Sequence, residues 1–139
     1  MVQKIELTVA LGDKKKNWQR ECNLQVVKDE PCVVKMDDDE FEKKEFCGID
    51  LFECLESLRL YLEERGYFLL CSGARIDVYP SGMSRDMSKG RLAYVTKIGM
   101  VASREDIVDI FAETDIENIG TVAQQKEYHE QWVNSIKNL

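Results

Sequence analysis

Residues 4–27, KIELTVALGDKKKNWQRECNLQVV, alternate apolar and polar side chains in two runs on either side of a Gly-Asp pair. A period of two places the apolar side chains on one face of a β-strand. Gly12-Asp13 is typical of a turn. The first 28 residues therefore predict a β-hairpin with one buried face, whose apolar positions are Ile5, Leu7, Val9 and Leu11 in the first strand and Trp18, Cys22, Leu24 and Val26 in the second.

Two further strands extend this hairpin. Pro31 ends it, and Cys32 to Met36 forms a short apolar run of strand length. After the acidic turn that spans residues 37–40, Phe41 to Cys47 predicts a fourth strand. Strands that follow one another through short turns favour an antiparallel meander.

The second half of the chain carries two helix signals. Asp50 is a good N-cap before leucines at 51, 55, 58 and 62, which share one helical face, and Gly66 is placed to end that helix. Thr121 and Gln124 form a capping box that opens a second helix. We therefore predict helices over about 51–65 and 122–137.

Short apolar runs lie between these helices. Residues 67–71 and 92–98 predict strands, while Ser103 and Asp106 precede the apolar segment 107–111, which suits either a helix start or a strand. The predicted fold class is α+β. It has an N-terminal antiparallel β-meander that continues into a mixed or antiparallel sheet, packed by the two main helices, and residues 1–139 form a single domain.

Composition narrows the range of functions. The 139 residues carry a net charge of −7, and 44% are hydrophobic, which is typical of a globular protein. The pI near 4.8 argues against nucleic acid or an anionic membrane as the partner. The N-terminal residues show no signal-peptide pattern, and the five cysteines contain no C-x-x-C pair. These features predict a cytoplasmic protein with reduced thiols and with neither a metal nor a cofactor.

Residues 71–91, CSGARIDVYPSGMSRDMSKGR, interrupt the apolar pattern with a long polar segment. It carries four basic residues against two acidic ones in a chain that is acidic as a whole. Long polar loops in small domains often serve a function. We therefore treat this segment as a candidate site, whose polar members are Cys71, Arg75, Asp77, Tyr79, Ser81 and Arg85.

Two interpretations of this segment stay open. If residues 75–79 are extended, then Arg75, Asp77 and Tyr79 share one face and can form a hydrogen-bonded cluster. Such a cluster either orders a Pro-Gly turn or binds an anion or a partner through Arg75 and Arg85.

Catalytic patterns are absent from the sequence. Position 77 is Asp where a phosphatase loop starting at Cys71 needs Arg, and there is no Walker loop or nucleophile elbow. Cys71 is expected to be a buried residue at the end of a strand. His129, the single histidine, is expected at or near the surface of a helix. We predict no catalytic residues, and an enzyme is the less favoured class.

The acidic run lacks the ligand spacing of a calcium loop, so it predicts a solvated turn rather than a metal site. In a protein-binding role these carboxylates would attract a basic partner. The predicted partner contacts are Asp37, Asp38, Asp39, Glu40, Glu42 and Glu45.

Two segments, LLCSGARIDVYPSGMSRDM (69–87) and IGTVAQQKEYHEQWVNSI (119–136), resemble a family of small, stand-alone, largely uncharacterised bacterial cytosolic proteins, loosely similar to immunity proteins of toxin–immunity systems. The resemblance covers the C-terminal half to two-thirds of the chain and carries no established catalytic residues. It implies a bacterial single-domain protein.

The leading hypothesis is a non-enzymatic, acidic, immunity-type protein that inhibits a toxin, for example a basic nuclease domain. The first alternative is a domain that binds a small ligand or anion, or acts as an enzyme, through residues 71–91. The second is a housekeeping interaction protein of unknown role. Under each hypothesis the chain is expected to be a monomer or a homodimer. The partner's identity, the oligomeric state and the strand order do not follow from the sequence.

Overall fold

A computed structural model describes residues 4–13, 15, 18–29 and 31–139, which form a mixed α+β fold. Its larger sheet is antiparallel and has the strand order β4-β3-β2-β1-β5. The first four strands make the predicted meander, and the short fifth strand pairs with the other edge of β1. The strands are β1 (Lys4–Asp13), β2 (Trp18–Val27), β3 (Cys32–Asp37), β4 (Lys44–Gly48) and β5 (Phe68–Leu69).

The β1–β2 register confirms the period-two prediction. Leu7 lies opposite Leu24 and Val9 lies opposite Cys22, so the apolar positions of both strands share the buried face. Residues 1–3 and the turn residues 14, 16 and 17 of the predicted hairpin lie outside the described part of the chain.

The predicted fourth strand starts too early. Strand β4 begins at Lys44 and not at Phe41, because the preceding residues form a turn closed by Asp38. The Asp38 carbonyl accepts a hydrogen bond from the Phe41 N–H at 3.2 Å, and the Asp38 carboxylate accepts one from the Glu40 N–H at 3.0 Å. These local bonds compete with strand pairing for the same backbone groups.

Both predicted helices are present. Helix α1 (Leu51–Glu63) is capped by Asp50, whose carboxylate accepts from the Glu53 N–H at 2.8 Å, and its apolar face packs on the larger sheet. The helix is followed by Gly66 at φ +82°, a left-handed conformation that favours glycine. The capping box of Thr121 and Gln124 opens the last helix, which spans Val122–Ile136. None of the helices in the described residues combines the length and apolar character that a membrane crossing requires.

The polar segment 71–91 is not the continuous loop that its composition predicted. It contains a 3₁₀ turn (Ser72–Ala74), strand β6 (Val78–Tyr79) and helix α2 (Gly82–Ser88). Ser81 caps α2 by accepting from the Ser84 N–H at 3.0 Å, and the Ser84 hydroxyl accepts from the Ser81 N–H at 2.9 Å. This reciprocal cap replaces the usual Glu or Gln by Ser, which is why the sequence pattern did not reveal the helix.

A smaller antiparallel sheet has the order β6-β7-β8, with β7 at Leu92–Val95 and β8 at Ile107–Asp109. The segment that suited a helix start or a strand contains both kinds of structure. A capping box of Ser103 and Asp106 opens a 3₁₀ turn (Arg104–Asp106), and β8 follows it directly. The final helix, Val122–Ile136, is named α3 and packs beside β6.

A buried arginine joins the two halves of the fold. Arg59 on α1 is 2% exposed, and its guanidinium donates to the Gly73 carbonyl at 3.3 Å and to the Gly120 carbonyl at 3.0 Å. It also donates to Oε1 of the buried Gln125 on α3 at 2.6 Å. Gln125 in turn donates to the carbonyls of Gly73 and Arg75 at 2.8 and 2.9 Å. This network fixes α3 relative to α1 and to the 71–75 backbone.

Candidate functional site

The six candidate residues of segment 71–91 do not form one cluster. Arg75 and Asp77 make a two-pronged ion pair at 2.8 and 2.9 Å, and the hydrogen bond to Asp77 raises the pKa of Arg75. Arg85 instead donates to Asp50, at 2.8 Å. Arg75 and Asp77 were predicted to share one face, and they contact each other. Tyr79 instead contacts other rings.

Cys71 is buried, and burial raises the pKa of its thiol to about 11. Such a thiol is protonated at neutral pH and is a poor nucleophile. Ser81 is occupied as the N-cap of α2.

Two residues of the acidic run, Asp38 and Glu40, form contacts within the protein. Asp38, predicted as a partner contact, is buried and accepts two hydrogen bonds from Arg20 at 2.5 and 2.9 Å. Glu40 accepts from Arg20 at 2.7 Å and from the Tyr67 hydroxyl at 2.6 Å. The pKa values of Asp38 and Glu40 are lowered, chiefly by the Arg20 and the Tyr67 hydrogen bonds respectively. Asp38 is therefore held inside the fold by Arg20, and its role as a partner contact stays a prediction.

The other four acidic residues differ in whether they form ion pairs. Glu45 lies 3.1 Å from the Lys35 ammonium, and Asp37 lies 4.0 Å from that of Lys43. Asp39 and Glu42 are exposed and form no ion pair among the described residues. These two carboxylates are the free negative charges of the run.

A cleft of about 430 Å³ lies beside the smaller sheet, between α3 and the loop that follows β7. Its volume falls within the range of ligand sites in proteins. Most of its wall is aromatic or aliphatic. The lining residues include Tyr79, Tyr94, Val101, Arg104, His129 and Trp132.

The rings of the cleft are ordered by stacking. His129 stacks on Tyr79 with ring centroids 4.0 Å apart and planes inclined by 16°, and it contacts Trp132 at 5.8 Å and 28°. Tyr79 also packs edge-on against the buried Phe52 of α1. The three-ring stack therefore runs outward from the core to the cleft wall.

Two hydrogen bonds attach the loop of residues 97–103 to α3. The Trp132 indole N–H donates to the Met100 carbonyl at 2.8 Å, and the Gly99 N–H donates to the Ser135 hydroxyl at 2.8 Å. The loop is thus held where Val101 lines the cleft.

His129 is not the surface histidine that the sequence predicted. Its ring is half-buried between two aromatic rings, and its Nδ1 atom is buried with no hydrogen-bond partner among the described residues. Burial, and then the positive charge of Arg85, lower the pKa of His129, while the nearby Glu130 opposes that change. The imidazole is therefore neutral at physiological pH.

This environment makes the stability pH-dependent. The unfolded chain takes up a proton on His129 as the pH falls through its ordinary pKa of 6.5, whereas the folded chain does so at a lower pH. Stability is therefore lost below about pH 7. We expect the free energy of unfolding of the wild type to fall relative to that of His129→Phe between pH 7.5 and 5, in urea titrations at each pH. If the two free energies of unfolding change with pH in parallel, folding does not lower the pKa of His129.

Exposed apolar side chains are concentrated in the part of the sequence that includes β7 and the loop lining the cleft. Of the ten large apolar residues that are exposed in the described part of the chain, seven lie between positions 83 and 107. Ile107 lies opposite Tyr94 across the β7–β8 pair, and Met100 and Val101 adjoin Trp132. We call the three of them that adjoin the cleft the apolar rim: Met100, Val101 and Ile107, with exposures of 37–65%.

A larger cavity of about 690 Å³ lies over strands β1 to β4. Its charged groups are largely matched with each other, as in the Lys35–Glu45 pair. The described side chains that line the aromatic cleft form no ion pairs with one another, and its rim is apolar. It is therefore the stronger candidate for recognition.

The cleft contains residues that sequence reasoning missed. Tyr94, Val101, Arg104 and Trp132 come from β7, from the following loop and 3₁₀ turn, and from α3, and the fold brings them to Tyr79. One signal was available, since His129 and Trp132 are three residues apart and share a helix face.

The chemistry of the cleft is stacking and apolar contact. No three His, Cys, Asp or Glu residues come together as a metal site within the described residues. Comparison of the chain with protein-family models and with curated proteins yields no match. The resemblance of segments 69–87 and 119–136 to the immunity-like family therefore stays a prediction.

Proposed function

We propose that the protein is a non-enzymatic binding protein that holds a partner protein against the aromatic cleft and the apolar rim. The main observation behind this proposal is an aromatic cleft bordered by three exposed apolar residues, in a chain of which 32% is charged. Exposed apolar patches of this kind mark protein interaction sites. Aromatic residues, Met and Arg are enriched at such interfaces.

A second candidate is the immunity-type inhibitor of a basic toxin, which would use the acidic run instead. Asp39 and Glu42 support it, because they are exposed and have no ion-pair partner among the described residues. The net charge of −7 would speed association with a cationic partner. A housekeeping interaction protein is the variant of the main proposal in which the partner is not a toxin.

Partner capture with matched variants separates these candidates. We expect tagged wild-type protein to retain one stoichiometric protein from a lysate of its source organism, and Val101→Glu to lose that protein by at least about tenfold because a charge enters the apolar contact. Leu60→Glu makes the same change at an exposed position on α1 and is expected to retain it.

A third variant, Asp39→Lys with Glu42→Lys, tests the acidic surface. The main proposal expects this double variant to behave like the wild type at physiological salt. Loss of the partner in the double variant together with retention by Val101→Glu would favour the immunity-type candidate and contradict the cleft.

A further inference from the structure

The cleft offers aromatic stacking surface and, within the described part of the chain, one cationic side chain that has no ion-pair partner. Tyr79, Tyr94 and Trp132 line it with aromatic rings, and an aromatic side chain packs against such rings in offset or edge-on arrangements. The cleft is open on one side, and exposed apolar residues continue beyond it on the rim. A chain segment can occupy both, whereas a small molecule would fill the cleft alone.

Arg104 lies at the same cleft on the 3₁₀ turn. Its guanidinium has no ion pair or hydrogen bond among the described residues, although the chain has more acidic than basic residues. Two nearby charged side chains have hydrogen-bond partners of their own. Asp106 accepts from the Ser103 N–H at 2.8 Å, and Arg85 is paired with Asp50.

The remaining acidic neighbours do not neutralise Arg104. Glu105 adjoins it in sequence and is exposed, and Glu130 follows His129 on α3, yet neither forms an ion pair with it. A free guanidinium beside an apolar cleft favours a ligand that carries a carboxylate next to its apolar group. A long planar donor such as Arg is suited to that contact.

We propose that the cleft takes an aromatic side chain of an acidic peptide segment, with its ring beside Trp132 and Tyr94 and a neighbouring carboxylate on Arg104. This inference rests on the proposed function and specifies the chemistry of the partner at the cleft.

Three blocked tetrapeptides test the proposal by NMR. The probes are acetyl-Gly-Asp-Trp-Gly-amide, the same peptide with Asn for Asp, and the same peptide with Ala for Trp. The indole N–H of Trp132 reports on the cleft, and Trp18 serves as an internal control because the chain has two tryptophans and Trp18 packs on Tyr67 elsewhere.

We expect the Asp-Trp peptide to shift the Trp132 signal with a Kd in about the millimolar range, the Asn peptide to bind about two- to fivefold more weakly, and the Ala peptide to cause no shift. Arg104→Gln should remove the preference for Asp over Asn. Arg65→Gln, which removes an exposed arginine that lies on Tyr61, should preserve it.

Equal binding of the Asp and Asn peptides, a shift with the Ala peptide, loss of the preference in Arg65→Gln, or no shift of Trp132 would overturn the inference. So would tighter binding of N-acetyl-tryptophan than of the peptide, because it would indicate a site for a small aromatic acid. Peptide failure combined with partner loss in Val101→Glu would leave the proposed function standing, so the two claims fail separately.

Discussion

Replacing Gly73 by alanine is expected to lower the free energy of unfolding by about 3 kcal/mol. A Cβ atom at this position would lie 2.5 Å from Cδ2 of Leu55, 2.8 Å from Cβ of Ile110 and 3.1 Å from the Ile110 carbonyl oxygen. The crowding involves the backbone and a Cβ, which cannot swing aside. The 3₁₀ turn must therefore move away from Ile110, and urea denaturation measures the cost.

Gly82→Ala is the matched control. Nothing lies within 4 Å of a Cβ built at Gly82, which occupies the first position of α2. Alanine there is expected to leave stability unchanged or to raise it by about 0.5 kcal/mol. A Gly73→Ala variant as stable as this control would show that the turn is not packed tightly against Ile110.

Removing the buried guanidinium of Arg59 is expected to cost about 2–4 kcal/mol. In Arg59→Met the side chain keeps most of its bulk but donates to nothing, so the Gly120 carbonyl and the Gln125 amide oxygen lose a buried donor. Burial also lowers the pKa of Arg59, and relief of that desolvation offsets part of the loss. Chemical denaturation again measures the change.

Arg65→Met is the control for this change. Arg65 is exposed, donates to the Tyr61 carbonyl at 2.8 Å and lies over the Tyr61 ring, so its loss should cost no more than about 1 kcal/mol. If Arg59→Met lowers the free energy of unfolding as little as this control does, the buried network does not hold α3 in place. Other contacts would then have to position α3, which carries the cleft residues His129 and Trp132.

The elements that could be predicted from sequence are those specified by local periodicity. The alternation in residues 4–27 and the leucine spacing of α1 each place apolar groups on one face regardless of what covers it, so β1, β2 and α1 follow from the pattern. Helix α2 and strand β6 were hidden in a polar segment, since both are short and depend on contacts with distant residues. Phe41 was misplaced because the side chain of Asp38 ordered a turn.

The candidate site was predictable to a smaller extent. Tyr79 and Ser81 were expected in a site, and both line the cleft. Its other walls come from sequence positions up to 53 residues away from Tyr79, because Trp132 reaches it from the last helix. The periodicity of one helix or strand does not show which distant elements it will contact. The buried environment of His129 was missed for the same reason, since the rings that cover it belong partly to β6.

The most direct test of the central claim is the ratio of captured partner to tagged protein in Val101→Glu compared with Leu60→Glu. Both variants place a glutamate at an exposed apolar position, and they differ in whether that position adjoins the aromatic cleft. We predict an unchanged ratio for Leu60→Glu and a drop of at least about tenfold for Val101→Glu. Equal capture of the same partner by both variants would contradict it.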